Sequence, residues 1–385
     1  MAEKKVFKFI ILLGIVSLFS DMTYEGARSI TGPFLAVLGA SGAVVGFVAG
    51  LGELLGYGVR LISGYLSDRT GKYWPITILG YILNLFAVPL LALAGNWQLA
   101  AILMITERVG KAIRTPARDA MLSHATSEVG RGWGFGLHEA MDQIGAIAGP
   151  LIIALVLYLR GGYKTGFAIL FIPAFLAITV LAVARLLYPT PKELEATQAI
   201  PAGKGLPRTF WLYLVAVTFI AAGYVDYPLI AYHLGKGSLV ASNWIPVLYA
   251  VAMGADALAA LIFGYLYDLI GIYVLAIAAM VSSMFAPLVF FGGFAMVLVG
   301  MVIWGIGMGA QESVLRAAVA NMIPIDRRGT AYGVFNTIYG IFWFAGSALM
   351  GMLYDFSAGY VVAFSVATQL FSVLLMLYVG KKAMR

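Results

Sequence analysis

Ionisable side chains interrupt several long apolar stretches of this sequence, at spacings that place them on shared helical faces. In the first stretch, Asp21, Glu25 and Arg28 are spaced i, i+4 and i+7, which puts them on one side of a helix. A charge at membrane depth is costly, so each is a candidate for binding a solute or a proton. We expect that role for Asp21 and Glu25, or else an ion pair of Glu25 with Arg28 or Lys111.

Other apolar stretches also carry ionisable residues, which must face a water-filled cavity or pair with one another. Glu139 and Asp142 could each take up and release a proton, or form salt bridges to arginines of the preceding stretch. Asp226 has few basic neighbours in its own stretch, which suits contact with a cation or a proton. The further candidates for substrate or proton binding are Glu53, Glu107, Arg108, Lys111, Glu139, Asp142, Asp226, Asp256 and Glu312.

Motifs for enzymatic chemistry are missing from the sequence. It contains no His-Glu-x-x-His pair, no Gly-x-Ser-x-Gly elbow and no Gly-Lys-Ser/Thr phosphate loop, and it has no cysteine. His138 and His233 could bind metal, but two histidines far apart in sequence are a weak signal for a metal site. We therefore predict no enzyme, no cofactor, no resident metal and no direct drive by ATP.

The composition explains where these charges lie. Of the 385 residues, 62% are hydrophobic and 11% are charged, whereas a soluble domain has about 25% charged residues. Lipid must cover such a chain, and a helical crossing needs about 20 apolar residues. Strands are excluded because isolated strands leave backbone groups unpaired in lipid. Hydropathy predicts spans near 7–37, 43–66, 74–95, 97–120, 132–159, 165–188, 210–234, 241–266, 273–292, 294–320, 330–354 and 359–380.

The first predicted span is too long for one straight crossing. Gly26, Gly32 and Pro33 are the expected places for it to bend or break. With the N-terminus inside, sixteen of the 25 Lys and Arg residues lie on that side, three lie outside and six fall within spans. This asymmetry predicts an inner-membrane protein with both termini in the cytoplasm. It also accounts for the net charge of +7 without nucleic acid as a partner.

Two sequence patterns recur about 200 residues apart. Gly64–Gly71 is similar to Gly264–Gly271, and Arg131–Gly136 is similar to Arg328–Gly333. We therefore predict a bundle over 1–188, a cytoplasmic linker over 189–209 and a second bundle over 210–385, each bundle with six spans. Parallel repeats of this kind build one large class of transporters. A monomer is sufficient for such a carrier.

The segment from Gly64 through Asp68, Arg69 and Gly71 to Lys72 resembles the signature loop of the major facilitator superfamily. The resemblance implies an all-α membrane protein with twelve transmembrane helices in two pseudo-symmetric six-helix bundles. It also implies that this loop is a conformational latch, with Asp119 as a partner for Arg69 and with Asp68 able to cap a helix. The alternative is a loop that only sets topology.

Gly145, Gly149 and Pro150 resemble a helix-kinking motif of the drug/proton-antiporter-like branch of this family, although a simple packing kink is the alternative. Arg108 resembles the buried arginine that the branch associates with proton coupling. Together these features predict proton-coupled export of small organic compounds across the lipid bilayer. A proton-coupled carrier of a charged nutrient, metal ion or metal chelate is the alternative.

Overall fold

The computed structural model describes residues 2–126, 131–189, 205–237, 240–323 and 328–383. These residues form α-helices and connecting turns, without a strand, which confirms the predicted all-α class. Of the predicted linker, residues 190–204 lie outside the described ranges. The helices are α1 (Ala2–Val37), α2 (Gly42–Thr70), α3 (Tyr73–Leu90), α4 (Trp97–Thr126), α5 (Arg131–Tyr158), α6 (Tyr163–Ile169), α7 (Phe171–Leu187), α8 (Arg208–Gly223), α9 (Tyr227–Lys236), α10 (Trp244–Ile270), α11 (Tyr273–Ser282), α12 (Phe285–Phe291), α13 (Phe294–Met322), α14 (Arg328–Phe356) and α15 (Ala358–Ala383).

Eleven segments of the described residues are long and apolar enough to cross a membrane. The predicted fourth span is present as α4, a helix of 30 residues that is about 45 Å long at 1.5 Å per residue. It is not one of the eleven apolar segments, because it carries charged residues from Glu107 to Asp119. A helix with this composition needs protein neighbours rather than lipid along its charged face.

Three predicted spans are each built from two helices. The sixth consists of α6 and α7, the seventh of α8 and α9, and the ninth of α11 and α12. The second helix of each pair has a proline within its first three residues: Pro173, Pro228 and Pro287. Proline suits the first turn of a helix because no hydrogen bond is lost there, but it disfavours a continuous helix across that point. The seventh span therefore places Asp226 in a non-helical break.

The break expected in the first span is absent. α1 is one uninterrupted helix that contains Pro33. Pro33 lies in the last turns of α1, where little helix remains to be disturbed. Gly26 serves packing instead, because a Cβ added there would lie 3.2 Å from the carbonyl carbon of Gly149 in α5.

The chain divides into two compact units. The first comprises Met1–Phe34, Leu55–Gln198 and Ser242–Val247, and the second comprises Leu35–Leu54, Ala199–Ala241 and Leu248–Arg385. Within the first unit α3 packs along α4 and against α7, and within the second α8 packs against α14 and α15. The beginning of α2 belongs to the second unit, where the Asp355 carboxylate of α14 accepts hydrogen bonds from the Gly42 and Ala43 nitrogens at 2.7 and 2.9 Å.

The sequence repeat is also a repeat of backbone geometry. Gly71 and Gly271 both have left-handed backbones, with φ of 64° and 61°, and each donates a hydrogen bond 2.8 Å long to the carbonyl four residues earlier. Glycine adopts this conformation without steric cost. The two matched motifs therefore end α2 and α10 in the same way.

Candidate functional site

Glycine pairs bring α1, α3, α4 and α5 together in the first unit. A Cβ added to Gly110 of α4 would lie 2.8 Å from the Asn84 Cα of α3, and one added to Gly80 would lie 2.7 Å from the Arg114 Cβ. On the other side, a Cβ on Gly149 of α5 would lie 2.9 Å from the Gly26 nitrogen of α1. Close backbone approach through small residues is typical of helix contacts in membranes.

Asp21 lies at the centre of this assembly and is 7% exposed. The Tyr24 hydroxyl, one turn along α1, donates a hydrogen bond to Asp21 Oδ1. The Nζ of Lys111 in α4 lies 3.9 Å from the centroid of the Tyr24 ring, where a cation–π contact stabilises the ammonium. Tyr24 therefore contacts an acid and a base at once.

Glu25, also 7% exposed, lies between two cations. Its Oε1 is 3.9 Å from Arg28 Nη1 and 4.0 Å from Lys111 Nζ. The predicted face of Asp21, Glu25 and Arg28 thus holds an ion pair within α1 and another to α4. Both of the ion-pair alternatives for Glu25 occur, which leaves a role in binding as a proposal.

Glu107 and Arg108 form a second polar group on α4. Arg108 Nε lies 3.5 Å from Glu107 Oε2. The amide of Asn84 in α3 donates to Glu107 Oε1 at 2.8 Å and to the Glu107 carbonyl at 3.1 Å. Asn84 was not singled out by the sequence analysis, although a lone amide in an apolar stretch is the signal that would have identified it.

On α5 the His138 Nδ1 lies 3.5 Å from Asp142 Oδ2, as their spacing of four residues predicts. His138 is buried, Asp142 is half-buried and Glu139 is exposed. Of the two carboxylates considered for proton exchange on this helix, Glu139 is the exposed one. The reason is helical geometry, because Glu139 lies about 100° around the helix from His138.

Asp226 is the corresponding polar centre of the second unit and is 2% exposed. It precedes the first turn of α9 with an extended backbone. Its Oδ1 accepts from Trp343 Nε1 at 2.9 Å and its Oδ2 accepts from Ser347 Oγ at 2.5 Å. A carboxylate at a break in a membrane helix, beside a positive helix end, is a typical transporter feature.

Aromatic rings fill the rest of this region. Trp304 Nε1 donates to the Val225 carbonyl at 2.9 Å, and the Tyr227 and Tyr249 rings have centroids 4.0 Å apart. Gln311 accepts from the Tyr339 hydroxyl at 3.0 Å. These aromatics are buried in the second unit rather than lipid-facing.

The other predicted site residues in this unit are more scattered. Asp256 of α10 is 3% exposed, and its Oδ1 lies 2.8 Å from where a Cβ on Gly309 of α13 would be. Glu53 is half-buried and Glu312 is exposed.

The predicted latch loop is at the surface. Asp68, Arg69 and Lys72 are all exposed, and Arg69 Nη1 donates to the Tyr65 hydroxyl at 3.2 Å. Asp119, the expected partner of Arg69, instead accepts from Arg118 at 2.8 and 2.9 Å.

The structure does not support the capping role expected of Asp68, and it gives the two glycines of this loop different environments. Asp68 lies in the last turn of α2, and α3 begins after Lys72 without a side-chain cap, so Asp68 is not the N-cap residue. A Cβ on Gly64 would be 3.5 Å from Pro116, which is ordinary contact rather than close approach. Gly71, with its left-handed backbone, is the glycine of the loop that the fold requires.

The glycines of the Gly-Pro motif lie at the crossing of α5 and α1. A Cβ on Gly145 would overlap the Leu18 carbonyl oxygen and lie 3.0 Å from the Asp21 Cβ. α5 continues through Pro150 without interruption. The second half repeats this contact, because a Cβ on Gly346 of α14 would overlap the Ala222 carbonyl oxygen of α8.

Metal-binding groups of three or more His, Asp or Glu side chains are not found among the described residues.

Comparison with known proteins agrees with this fold. The chain is 42% identical to the uncharacterized protein Rv2265 of Mycobacterium tuberculosis over 96% of this chain and 92% of that protein. It is 26% identical to the uncharacterized MFS-type transporter MJ1317 of Methanocaldococcus jannaschii over 98% of this chain and 96% of that protein.

Among solved structures, a POT family transporter in complex with 5-aminolevulinic acid superimposes with a TM-score of 0.80 at 12% identity. The match covers 98% of this chain and 96% of that one, and at this identity it shows the fold. The profile of the Major Facilitator Superfamily matches residues 13–237. The chain is therefore a transporter-type protein that belongs to the Major Facilitator Superfamily.

Proposed function

We propose that this transporter works by alternating access and is coupled to protons, and that it exports small organic compounds. The observation that carries the proposal is the buried acid–base network of α1 and α4. Glu25 lies 3.9 Å from Arg28 and 4.0 Å from Lys111. The Tyr24 side chain contacts both Asp21, through a hydrogen bond, and Lys111, through its ring. Such networks are costly in a membrane and typically mark ion or substrate pathways.

We infer a route for proton coupling from the charges of this network. A proton added to Glu25 removes its charge, which weakens its hold on Lys111 and Arg28. A basic group of a bound compound would compete with that proton for Asp21 and Glu25. Binding of one ligand then lowers the affinity for the other by the same factor, which is the condition for exchange of a compound against protons.

The export direction has its support in the resemblance of Gly145, Gly149 and Pro150 to the antiporter motif. Their close contact with α1 joins α5 to the helix that carries Asp21 and Glu25. Movement of α5 would therefore displace the helix that carries this network.

We also propose that the protein lies in the inner membrane with both termini in the cytoplasm, from the distribution of Lys and Arg. The latch role of the loop from Gly64 to Lys72 stays part of this proposal.

The test is transport by purified protein in liposomes with an imposed pH gradient, across a panel of organic cations, zwitterions and anions. Internal pyranine reports proton movement, and labelled compound reports flux. We expect Glu25→Gln and Asp21→Asn to lower proton-coupled flux about tenfold or more, since each loses an interaction of an ionised group. The control is Asp268→Asn, which changes an exposed carboxylate at the end of α10, outside the proposed network. Normal coupled flux in both α1 variants would contradict the proposal.

A carrier of a charged nutrient is the second candidate. It is favoured by the number of cations on α4, which exceeds what a pocket for lipophilic compounds requires. Movement of a charged solute in the same direction as the protons would favour this candidate. Movement of the compound in the direction opposite to the protons would favour export. The metal-ion version of this candidate has no supporting ligand group among the described residues.

A further inference from the structure

Arg114 of α4 is a buried guanidinium whose hydrogen-bond donors are not all used. It is 1% exposed, and its Nε and Nη1 atoms have no hydrogen-bond partner within the described residues. Arginine stays charged under all ordinary conditions. Asp21 of α1 and Asp142 of α5 lie near enough to interact with its charge, but neither accepts a hydrogen bond from Nε or Nη1. Buried donors without acceptors are strongly unfavourable, so this side chain needs a functional or structural explanation.

The other cations of α4 are paired with carboxylates, and Arg114 is the exception in the described part of the chain. Each of the others lies within 4.0 Å of an acidic oxygen, whereas the ion pairs between described residues do not include Arg114. The pairs are Arg108 with Glu107 at 3.5 Å, Lys111 with Glu25 at 4.0 Å and Arg118 with Asp119 at 2.8 Å.

Two aromatic rings surround Arg114 but do not replace an anion. Its Cζ lies 4.3 Å from the centroid of the Tyr81 ring and 5.8 Å from that of Tyr24. Ring faces attract a cation, yet they are weak acceptors for N–H groups. The charge is therefore held in place while its Nε and Nη1 donors keep their capacity for an oxygen ligand.

The neighbouring face of α3 offers further unused polar atoms. Thr77, Tyr81 and Asn84 are each 0% exposed and are spaced i, i+4 and i+7, which places them on one face. Their Oγ1, hydroxyl and Oδ1 atoms have no hydrogen-bond partner within the described residues. Gly80 lies on the same face, and a Cβ added to it would lie 2.5 Å from the backbone nitrogen of Arg114. Hydroxyl groups donate as well as accept.

We propose that Arg114 binds an oxyanion group of the transported compound, a carboxylate or a phosphoryl group, with the Tyr81 hydroxyl as a further donor. The inference rests on the proposed function and deepens it by naming the substrate class. Arginine donates two parallel N–H bonds to such groups, which adds geometric selectivity. Lys111, whose ammonium faces the same Tyr24 ring, strengthens the positive field. Asp21 and Glu25 would then bind the proton or a basic group of the same compound.

The test measures oxyanion binding by purified protein in detergent, through thermal unfolding without any gradient. The probes are acetate, benzoate and inorganic phosphate, compared with chloride at equal ionic strength. Acetamide and benzamide are the matched neutral probes. We expect at least one oxyanion to stabilise the wild type in a saturable manner, and the amides to give no such effect. Absence of stabilisation by every oxyanion, or equal stabilisation by acid and amide, would overturn the inference.

Three variants assign the effect to Arg114. Arg114→Met should abolish stabilisation by the oxyanion, whereas the charge control Arg185→Met, at an exposed position of α7, should retain it. If Arg114→Met does not fold, Arg114→Lys keeps the charge but loses the paired N–H geometry, and its affinity should fall roughly tenfold. Unchanged affinity in Arg114→Lys and Arg114→Met would refute the assignment.

The outcome is separable from that of the proposed function. Proton coupling is tested by gradient-driven flux in the Glu25 and Asp21 variants, and oxyanion binding is tested without a gradient. If flux depends on Glu25 while oxyanion binding is indifferent to Arg114, the present inference fails and proton coupling stands. If oxyanion binding depends on Arg114 while flux needs no proton gradient, the reverse holds.

Discussion

Gly149 of α5 lies at the close contact between α5 and α1, and replacing it tests whether the site depends on that contact. A Cβ added there would overlap the Met22 carbonyl oxygen and lie 2.9 Å from the Gly26 nitrogen. Both blocking atoms belong to the backbone of α1, so no side chain can rotate away. Gly149→Ala must therefore push α5 away from α1, beside the helix turn that carries Asp21.

The size of the effect follows from a matched comparison with Gly136→Ala in the same helix, where an added Cβ meets nothing within 4 Å. Replacing glycine by alanine in a helix stabilises by about 0.5–1 kcal/mol, and this gain is common to both variants. Overpacking costs about 1–3 kcal/mol. We therefore expect Gly149→Ala to be less stable than Gly136→Ala by about 1–3 kcal/mol, a factor of roughly 5 to 150 in the unfolding equilibrium.

Titration of the purified protein with SDS, followed by circular dichroism, measures both variants. Gly149→Ala should unfold at a lower SDS fraction than the wild type, and Gly136→Ala at an equal or higher one. Equal stability of the two variants would show that α5 does not depend on this contact. Proton-coupled flux through Gly149→Ala should also fall, because the same displacement moves the surroundings of Asp21.

Two further predictions concern the second unit. Asp226→Asn should lower proton-coupled flux in liposomes by about tenfold or more, because a neutral amide cannot hold a proton or a cation and weakens the bonds to Trp343 and Ser347; flux equal to that of the wild type would exclude Asp226 from the pathway. Asp355→Ala should destabilise the protein by about 0.5–2 kcal/mol, since the carboxylate caps the first two nitrogens of α2; an unchanged SDS midpoint would count against that capping role.

The general architecture could be read from the sequence because lipid imposes it. Backbone groups in a bilayer must be bonded within helices, so long apolar runs indicate spans. The repeated Gly71 and Gly271 follow from the local rule that a left-handed turn favours glycine. Helical periodicity likewise placed His138 and Asp142 in contact, and Glu25 beside Arg28.

Contacts between helices were decided by the tertiary structure. The sequence offered Arg69 as a partner for Asp119, but the structure pairs Asp119 with the adjacent Arg118. Nor did the sequence show that Asp142 would be half-buried while Glu139, on the same helix, is exposed. Which face of a helix meets another depends on packing along its whole length, and a single sequence does not reveal it.

The charged residues show the same division. Sequence alone determined that α1 and α4 carry acids and bases at membrane depth, because a few charges in apolar runs are visible without any structure. Only the tertiary structure decided how those charges are paired, because the pairing depends on which faces of α1, α3 and α4 meet. That arrangement joins Lys111 to Glu25 and leaves Arg114 between two aromatic rings with unbonded donors.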